Sequence, residues 1–295
     1  MTKFLEHRKQ KRTTQKSIVV FYHADCSDGF TAAWVAWKKF GEKAQYIATF
    51  NEDEPPVIKN KQIYTLDLTF PETITKRLIR DNVRVTAIDH HISSKSVTLK
   101  TFKPAYAVNH SGCMLAWNYF FPQKPAPKFL LNIEDVDLWR KKLPGSSALY
   151  AYLDLFDFRF EIWSGLIQDF ETSSKRKRML DAGNFLLKYE DKMTERCVNK
   201  NARLVKFDRY KVYAVNETIF VSVVGAKLAR LLPPFAIVWR EFKNGQVGVS
   251  LRGTGQVDLS LLAKKYGGGG HKDSAAFRLP SIKDIPWRPI RQSKN

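Results

Sequence analysis

The chain is poor in three things, and each shortage excludes a class of protein. It has only three cysteines in 295 residues, Cys26, Cys113 and Cys197. They are odd in number and widely scattered, so they suit neither a disulfide framework nor a zinc-spaced set, and they point to a reducing compartment, the cytoplasm. No apolar run approaches the roughly 18 residues of a membrane helix, and the N-terminus lacks the apolar core of a secretory signal, so no membrane association is expected. Acids are also scarce: 29 Asp and Glu stand against 49 Lys and Arg, a formal charge of +20. A surface of that sign favours polyanions, above all nucleic acid and nucleotides.

What is present is core material for about two domains, with 44% hydrophobic residues. Residues 1–16 are basic and aperiodic and read as a flexible arm. Apolar, β-branched runs at 17–22, 45–49, 63–66 and 83–88 alternate with helical patterns at 30–40 and from Pro71 to about residue 80. This rhythm predicts an α/β domain with a doubly wound, mainly parallel sheet and helices on both faces. It should reach about residue 185 and continue through a helical linker at 186–202. Short strands and helices at 203–285 then predict a smaller α/β domain, and 286–295 reads as a tail.

Three of the first domain's strands end in side chains able to hold a metal. The first runs into His23, Asp25 and Asp28 before Gly29, another into Asp67, and the last into Asp89-His90-His91. Ligands bind at the carboxyl ends of strands in open α/β sheets. Imidazole and carboxylate together suit manganese, iron or zinc. Further on, Glu134-Asp135-Val136-Asp137 offers one more carboxylate from a helical stretch. In the second domain Arg252 precedes a run of four glycines, Gly267 to Gly270, closed by His271 and Lys272. Such a loop lets backbone N–H groups crowd an anion, and His271 and Arg252 can add polar or charged contacts. It lacks the glycine spacing and the closing Lys-Ser/Thr of a Walker A loop.

In this order, the Asp-Gly motif after the first strand, the Asp-His-His after a later one and the Gly-Gly-Gly-His of the second domain resemble the DHH phosphoesterase superfamily. The likeness is to its DHH plus DHHA1 two-domain form and spans about residues 17–280. It implies a hydrolase that cleaves phosphodiester bonds in short RNA or nucleotides with two divalent metal ions, manganese first and magnesium as the alternative. A nanoRNase-like exonuclease is the leading expectation. A RecJ-like single-strand exonuclease, a small-nucleotide phosphatase and a cyclic-dinucleotide phosphodiesterase are alternatives, and a homodimer is compatible with the sequence. By the same resemblance His23, Asp25 and Asp67 would hold one metal and Asp28, His90 and Asp135 the second, with Asp67 bridging. Asp89 would orient the site and His91 would face the scissile phosphate. Arg252, Gly268, Gly269, Gly270 and His271 would bind the substrate. The chain departs from the family's usual Asp-x-Asp, because two residues separate Asp25 from Asp28. The fourth motif leaves Asp137 as a second acid beside Asp135.

Overall fold

The computed structural model describes residues 16–51 and 53–290. All but Lys16 of the expected basic arm, and the last five residues of the expected tail, lie outside them. The first unit is built on β1 (Ile18–His23), α1 (Ser27–Phe40), β2 (Ala44–Thr49), β3 (Gln62–Leu66), α2 (Glu72–Asp81), β4 (Arg84–Asp89), the short α3 (Lys95–Thr98) and β5 (Ala105–Tyr106). The five strands form one wholly parallel sheet in the order β2-β1-β3-β4-β5. Alternate side chains of its strands serve two cores, as the period of two requires. Val20, Tyr64, Leu66 and Ile88 pack with α1, while Val19, Phe21, Ile63 and Val85 pack with Leu78 of α2.

The α1 side is thickened by α4 (Gly112–Phe120), α5 (Lys128–Asp137), α6 (Ser146–Leu153) and α7 (Phe160–Glu171). Phe129, Leu149, Trp163 and Phe170 from these helices complete its core. The 29-residue helix α8 (Ser173–Asn201) follows. The boundary expected at 185 therefore falls inside one continuous helix. Met179, near its start, belongs to the first core, and Cys197 and Val198, near its end, belong to a core of the second unit. Among the described residues no helix is long and apolar enough to cross a membrane.

The second unit comprises β6 (Arg203–Phe207), β7 (Tyr210–Asn216), α9 (Val221–Leu231), β8 (Phe235–Glu241), β9 (Val247–Gly253), α10 (Leu259–Lys264), β10 (Gly269–Gly270), β11 (Ser274–Leu279) and β12 (Arg288–Pro289). Its seven strands run β10-β11-β9-β8-β7-β6-β12. Only β7 and β8 pair in parallel, and α9 makes the crossover between them. Val224 and Leu228 of α9 cover one face, and Leu259 and Leu262 of α10 cover the other. β12 pairs with β6, so the start of the expected tail closes this sheet's edge.

Candidate metal centre

In the order β2-β1-β3-β4-β5 the chain leaves β1 in one direction to make β2 and returns in the other to make β3. Such a reversal opens a crevice at the strands' carboxyl ends. His23, the last residue of β1, and Asp67, just after β3, stand on either side of it, and β4 brings up Asp89, His90 and His91. Asp67 sits in the left-handed region at φ 58°, where its N–H donates to the Ile88 carbonyl at 2.9 Å. A non-glycine residue held there marks a site where the surroundings over-determine the backbone. The entering helices approach closely. A Cβ on Gly29 would lie 2.4 Å from the His23 carbonyl oxygen, and one on Gly112 would lie 2.4 Å from the Asp67 Cβ. Only glycine lets α1 and α4 begin so close to those two side chains.

Asp67 is the hub. Its Oδ2 is 3.4 Å from His23 Nδ1 and accepts from the Cys26 thiol at 3.8 Å, and its Oδ1 is 3.2 Å from His90 Nε2. The same His90 nitrogen is 3.6 Å from Asp137 Oδ2. Three overlapping groups can each hold a cation: His23, Cys26 and Asp67; Asp67, His90 and His91; and Asp28, His90 and Asp137. Within each, the donor atoms lie within 4.8 Å of one another.

A cation fits these residues on two counts. Asp28 Oδ2 and Asp137 Oδ2 are buried without a hydrogen-bond partner, and Asp67 Oδ1 faces only His90 Nε2, at 3.2 Å; buried carboxylates so poorly satisfied are costly. The protonation balance tells the same story. Burial, then the charges of Asp67 and Asp137, raise the Asp28 carboxyl well above the usual range, and burial raises Asp137 to about 6 against the pull of His90. Burial would raise Asp67 too, but the imidazoles of His23 and His90 facing its two oxygens outweigh it and hold it low. Burial opposes a charged His90, yet Asp67, Asp137 and Asp28 lift it to about 10. Burial and the neighbouring carboxylates push the Cys26 thiol well up. Protons thus occupy a cluster whose charge a divalent cation would neutralise by displacing them.

Asp89 is fully buried and is a member of none of the three groups. Its Oδ1 accepts from the N–H of His90 at 2.7 Å, the N–H of His91 at 3.2 Å and His91 Nδ1 at 2.7 Å, and its Oδ2 accepts from Thr69 Oγ1 at 2.8 Å and Ser94 Oγ at 2.5 Å. Burial works against a charged His91, but Asp89 raises it to about 8. From the second unit, His271 stacks on His91 with ring centroids 5.2 Å apart and lies 5.7 Å from His90. Burial, then His91 and His90, lower His271 to about 4, so it is neutral at pH 7. Gly269 faces Ser93 across the junction, and Gly268 and Gly270 flank it. Arg252 is turned into its own domain, donating to Ser222 Oγ at 3.0 Å and the Leu251 carbonyl at 2.9 Å.

The structure does not bring all the expected ligands together. Asp25 is exposed, at φ 50°, and joins none of the three groups. Asp135 is buried but spent: its carboxylate accepts from the N–H groups of Lys142 and Leu143 at 2.9 and 3.1 Å and from Ser146 Oγ at 2.6 Å. Those bonds tie the turn after α5, and the metal-competent acid is Asp137. Cys26 is the residue that sequence reasoning missed. Its signal was its place between His23 and Asp28, where the family's aspartate spacing breaks.

Residues 213–286 match the DHHA1 domain model. The uncharacterized protein R106 of Acanthamoeba polyphaga mimivirus is 27% identical over 298 residues, covering 92% of this chain and 70% of that protein. Among solved structures, a protein from Helicobacter pylori G27 superposes with a TM-score of 0.44 at 14% identity, over 89% of this chain and 93% of that one. The pGpG-specific phosphodiesterase PggH from Vibrio cholerae gives 0.44 at 13% identity, over 91% and 94%. RecJ from Thermus thermophilus, solved with Mn2+, gives 0.46 at 11% identity, over 89% of this chain and 49% of that one. Asp89-His90-His91 thus closes β4 at the cation-competent cluster, and the unit that follows it in the chain carries a stretch, residues 213–286, that matches the DHHA1 domain model.

Proposed function

We propose that the protein is a divalent-metal-dependent phosphoesterase that hydrolyses phosphodiester bonds in short oligonucleotides, acting from an end. The observation that carries this reading is the convergence of three carboxylates, Asp28, Asp67 and Asp137, on His90, with an oxygen of Asp28 and one of Asp137 buried and unpartnered. His23, Cys26 and Asp67 would hold one ion and Asp28, His90 and Asp137 the other, with Asp67 between them. Bound there, two ions supply a hydroxide at neutral pH and shield the phosphoryl oxygens. Imidazole and carboxylate donors favour manganese over magnesium.

The chain's own groups do the rest. Asp89, which accepts five hydrogen bonds, holds His91 by its Nδ1 and so orients the ring, whose other nitrogen would donate to a phosphoryl oxygen when protonated. His271, neutral and stacked on His91, brings a second polar ring from the other domain against the same point. Beside them a crevice of ≈ 520 Å³ is lined by Ser93, Lys95 and Ser96 on one side and Ser260, Lys264 and Gly270 on the other. That volume is nucleotide-sized, and its two lysines suit a phosphate. It supports a substrate of a few nucleotides, whereas the +20 surface speeds encounter without setting what fits.

The test is initial rates with Mn2+ on RNAs of two to about 25 nucleotides at two salt concentrations. Single-stranded DNA, nucleoside bisphosphates and cyclic dinucleotides run in parallel. Efficiency should peak between two and about five nucleotides, a window taken from crevice-type sites, and salt should weaken long RNA far more than a dinucleotide. Efficiency rising with length at both salts would transfer the assignment to a RecJ-like exonuclease. No turnover on any phosphate ester would end the phosphoesterase reading.

A further inference from the structure

The two halves of the centre are chemically different. One half, Asp28, His90 and Asp137, offers only oxygen and nitrogen. The other holds a sulfur. Cys26 caps the N-terminus of α1, and its half-buried Sγ points at Asp67 Oδ2, 3.8 Å away, while His23 Nδ1 approaches the same oxygen at 3.4 Å. Two donors at about 2.0–2.3 Å from one tetrahedral ion lie roughly 3.3–3.5 Å apart, so both separations from Asp67 Oδ2 are close to those of ligands on one ion, and all three donor atoms lie within 4.8 Å of one another. A second observation points the same way: Asp67 is 1% exposed, and its Oδ1 turns to His90 Nε2 at 3.2 Å, which leaves Oδ2 to His23 and Cys26. The other two cysteines are placed differently. Cys113 Sγ lies within reach of Ser111 Oγ and the Leu130 carbonyl, and Cys197 packs among the apolar side chains of the second unit. Asp25, the oxygen ligand that the motif offered in this loop, is exposed and outside the cluster.

We propose that Cys26 is a metal ligand, which makes His23–Cys26–Asp67 a nitrogen–sulfur–oxygen site for a soft divalent ion such as Zn2+, Co2+ or Fe2+, and leaves Mn2+ to the oxygen-and-nitrogen half. This rests on the metal centre of the preceding section. Thiolate selects softer ions, whereas carboxylate and water suit manganese and magnesium. From a mixed pool of ions the sulfur site therefore fills first and with a different metal. Binding there displaces the thiol proton to solvent and changes no oxidation state.

The experiment titrates the metal-free full chain with Co2+ and reads the near-ultraviolet thiolate-to-cobalt charge-transfer band. The band should appear in the wild type and in Cys197→Ala and be absent in Cys26→Ser. Loss of an outer hydrogen-bond partner alone weakens metal binding about 10–100-fold. Loss of the sulfur should therefore weaken Zn2+ binding by at least about tenfold and Mn2+ binding less, and Cys26→Asp should shift the preference towards Mn2+. Should the variants fold poorly by circular dichroism, the wild type alone decides: Zn2+ should slow alkylation of Cys26, read by peptide mass. A charge-transfer band that survives Cys26→Ser overturns the proposal, as does a Cys26 alkylated equally fast with and without Zn2+. Absence of turnover on every phosphate ester would sink the phosphoesterase reading and leave this spectrum untouched.

Discussion

Asp137 ends α5 with its carboxylate buried among Asp28, Asp67 and His90, so Asp137→Asn removes a charge that the metal-free fold holds at a cost. Burial raises this carboxyl from 3.8 to about 6, with the attraction of His90 already working against the rise. Two units of difference between folded and unfolded chain correspond to about 3 kcal/mol. The sign follows from the direction. Above pH 6 the ionised group destabilises the fold by that amount. As pH falls through 6 the folded state takes up the proton first and the penalty shrinks, and below 3.8 both states are protonated and it vanishes. An asparagine amide in the same place costs about 1 kcal/mol if poorly bonded, leaving a net gain of roughly 2 kcal/mol at pH 7. Asp135 behaves oppositely. Burial would raise its pKa, but Ser146 and the N–H groups of Lys142 and Leu143 hold it low. Its stabilisation is present above the unfolded value and is lost as pH falls through the lower folded one, so Asp135→Asn should cost about 1–3 kcal/mol at pH 7. The assay is urea unfolding in chelator at pH 7 and near pH 4, repeated at pH 7 with Mn2+. Asp137→Asn should be the more stable protein in chelator at pH 7, fall to the wild type's stability or up to about 1 kcal/mol below it near pH 4, and lose most of the gain from Mn2+. Asp135→Asn should be less stable yet keep that gain. A Mn2+ response kept by Asp137→Asn and lost by Asp135→Asn would refute the reasoning.

Gly112→Ala would place a methyl 2.4 Å from the Asp67 Cβ, so the hub must move; equilibrium dialysis should show Mn2+ affinity down by about tenfold or more with circular dichroism unchanged, and unaltered affinity would mean that α4 does not position Asp67. His271→Ala should lower kcat/KM roughly ten- to hundredfold, the loss of one substrate contact, with metal content intact by elemental analysis. A fall in metal content instead would place His271 among the ligands.

The parallel sheet was legible because its strands are short β-branched runs, and those runs alternate with helices. Less legible were the ends of elements. A helix read as starting at Phe30 starts at Ser27, because Ser27, Asp28 and Gly29 look like loop residues by type. In place, the Phe30 N–H bonds the Cys26 carbonyl at 2.9 Å, and Asp28 sits in a first helical turn where a carboxylate is favoured. The expected passage at 185 from the first domain to a helical linker lies inside α8, and the sequence marks no point for it. α8 is polar along most of its length, and a polar helix that bridges two cores carries no composition shift where it passes from one to the other.

At the site, residue type was a weaker guide than direction. Asp135 and Asp137 are equal as chemistry, but two residues on a helix are about 200° apart. Phe129, Leu130 and Ile133 of α5 are fully buried, and Asp137 continues their row at four residues beyond Ile133. Asp135 lies four beyond Leu131, which is 39% exposed, yet is itself only 3% exposed, because the turn that it ties folds over it. Burial by itself therefore does not separate the two acids, and the direction of each row does. No such period exists between His23 and Ser27, where the chain passes from strand to helix in three residues. Asp25 takes a left-handed turn conformation and points out, and the sulfur next to it points in. Only the broken Asp-x-Asp spacing hinted at that exchange. It is also where the proposed centre would depart furthest from one of oxygen and imidazole, since the side chain turned inward there is the one sulfur donor in the three groups.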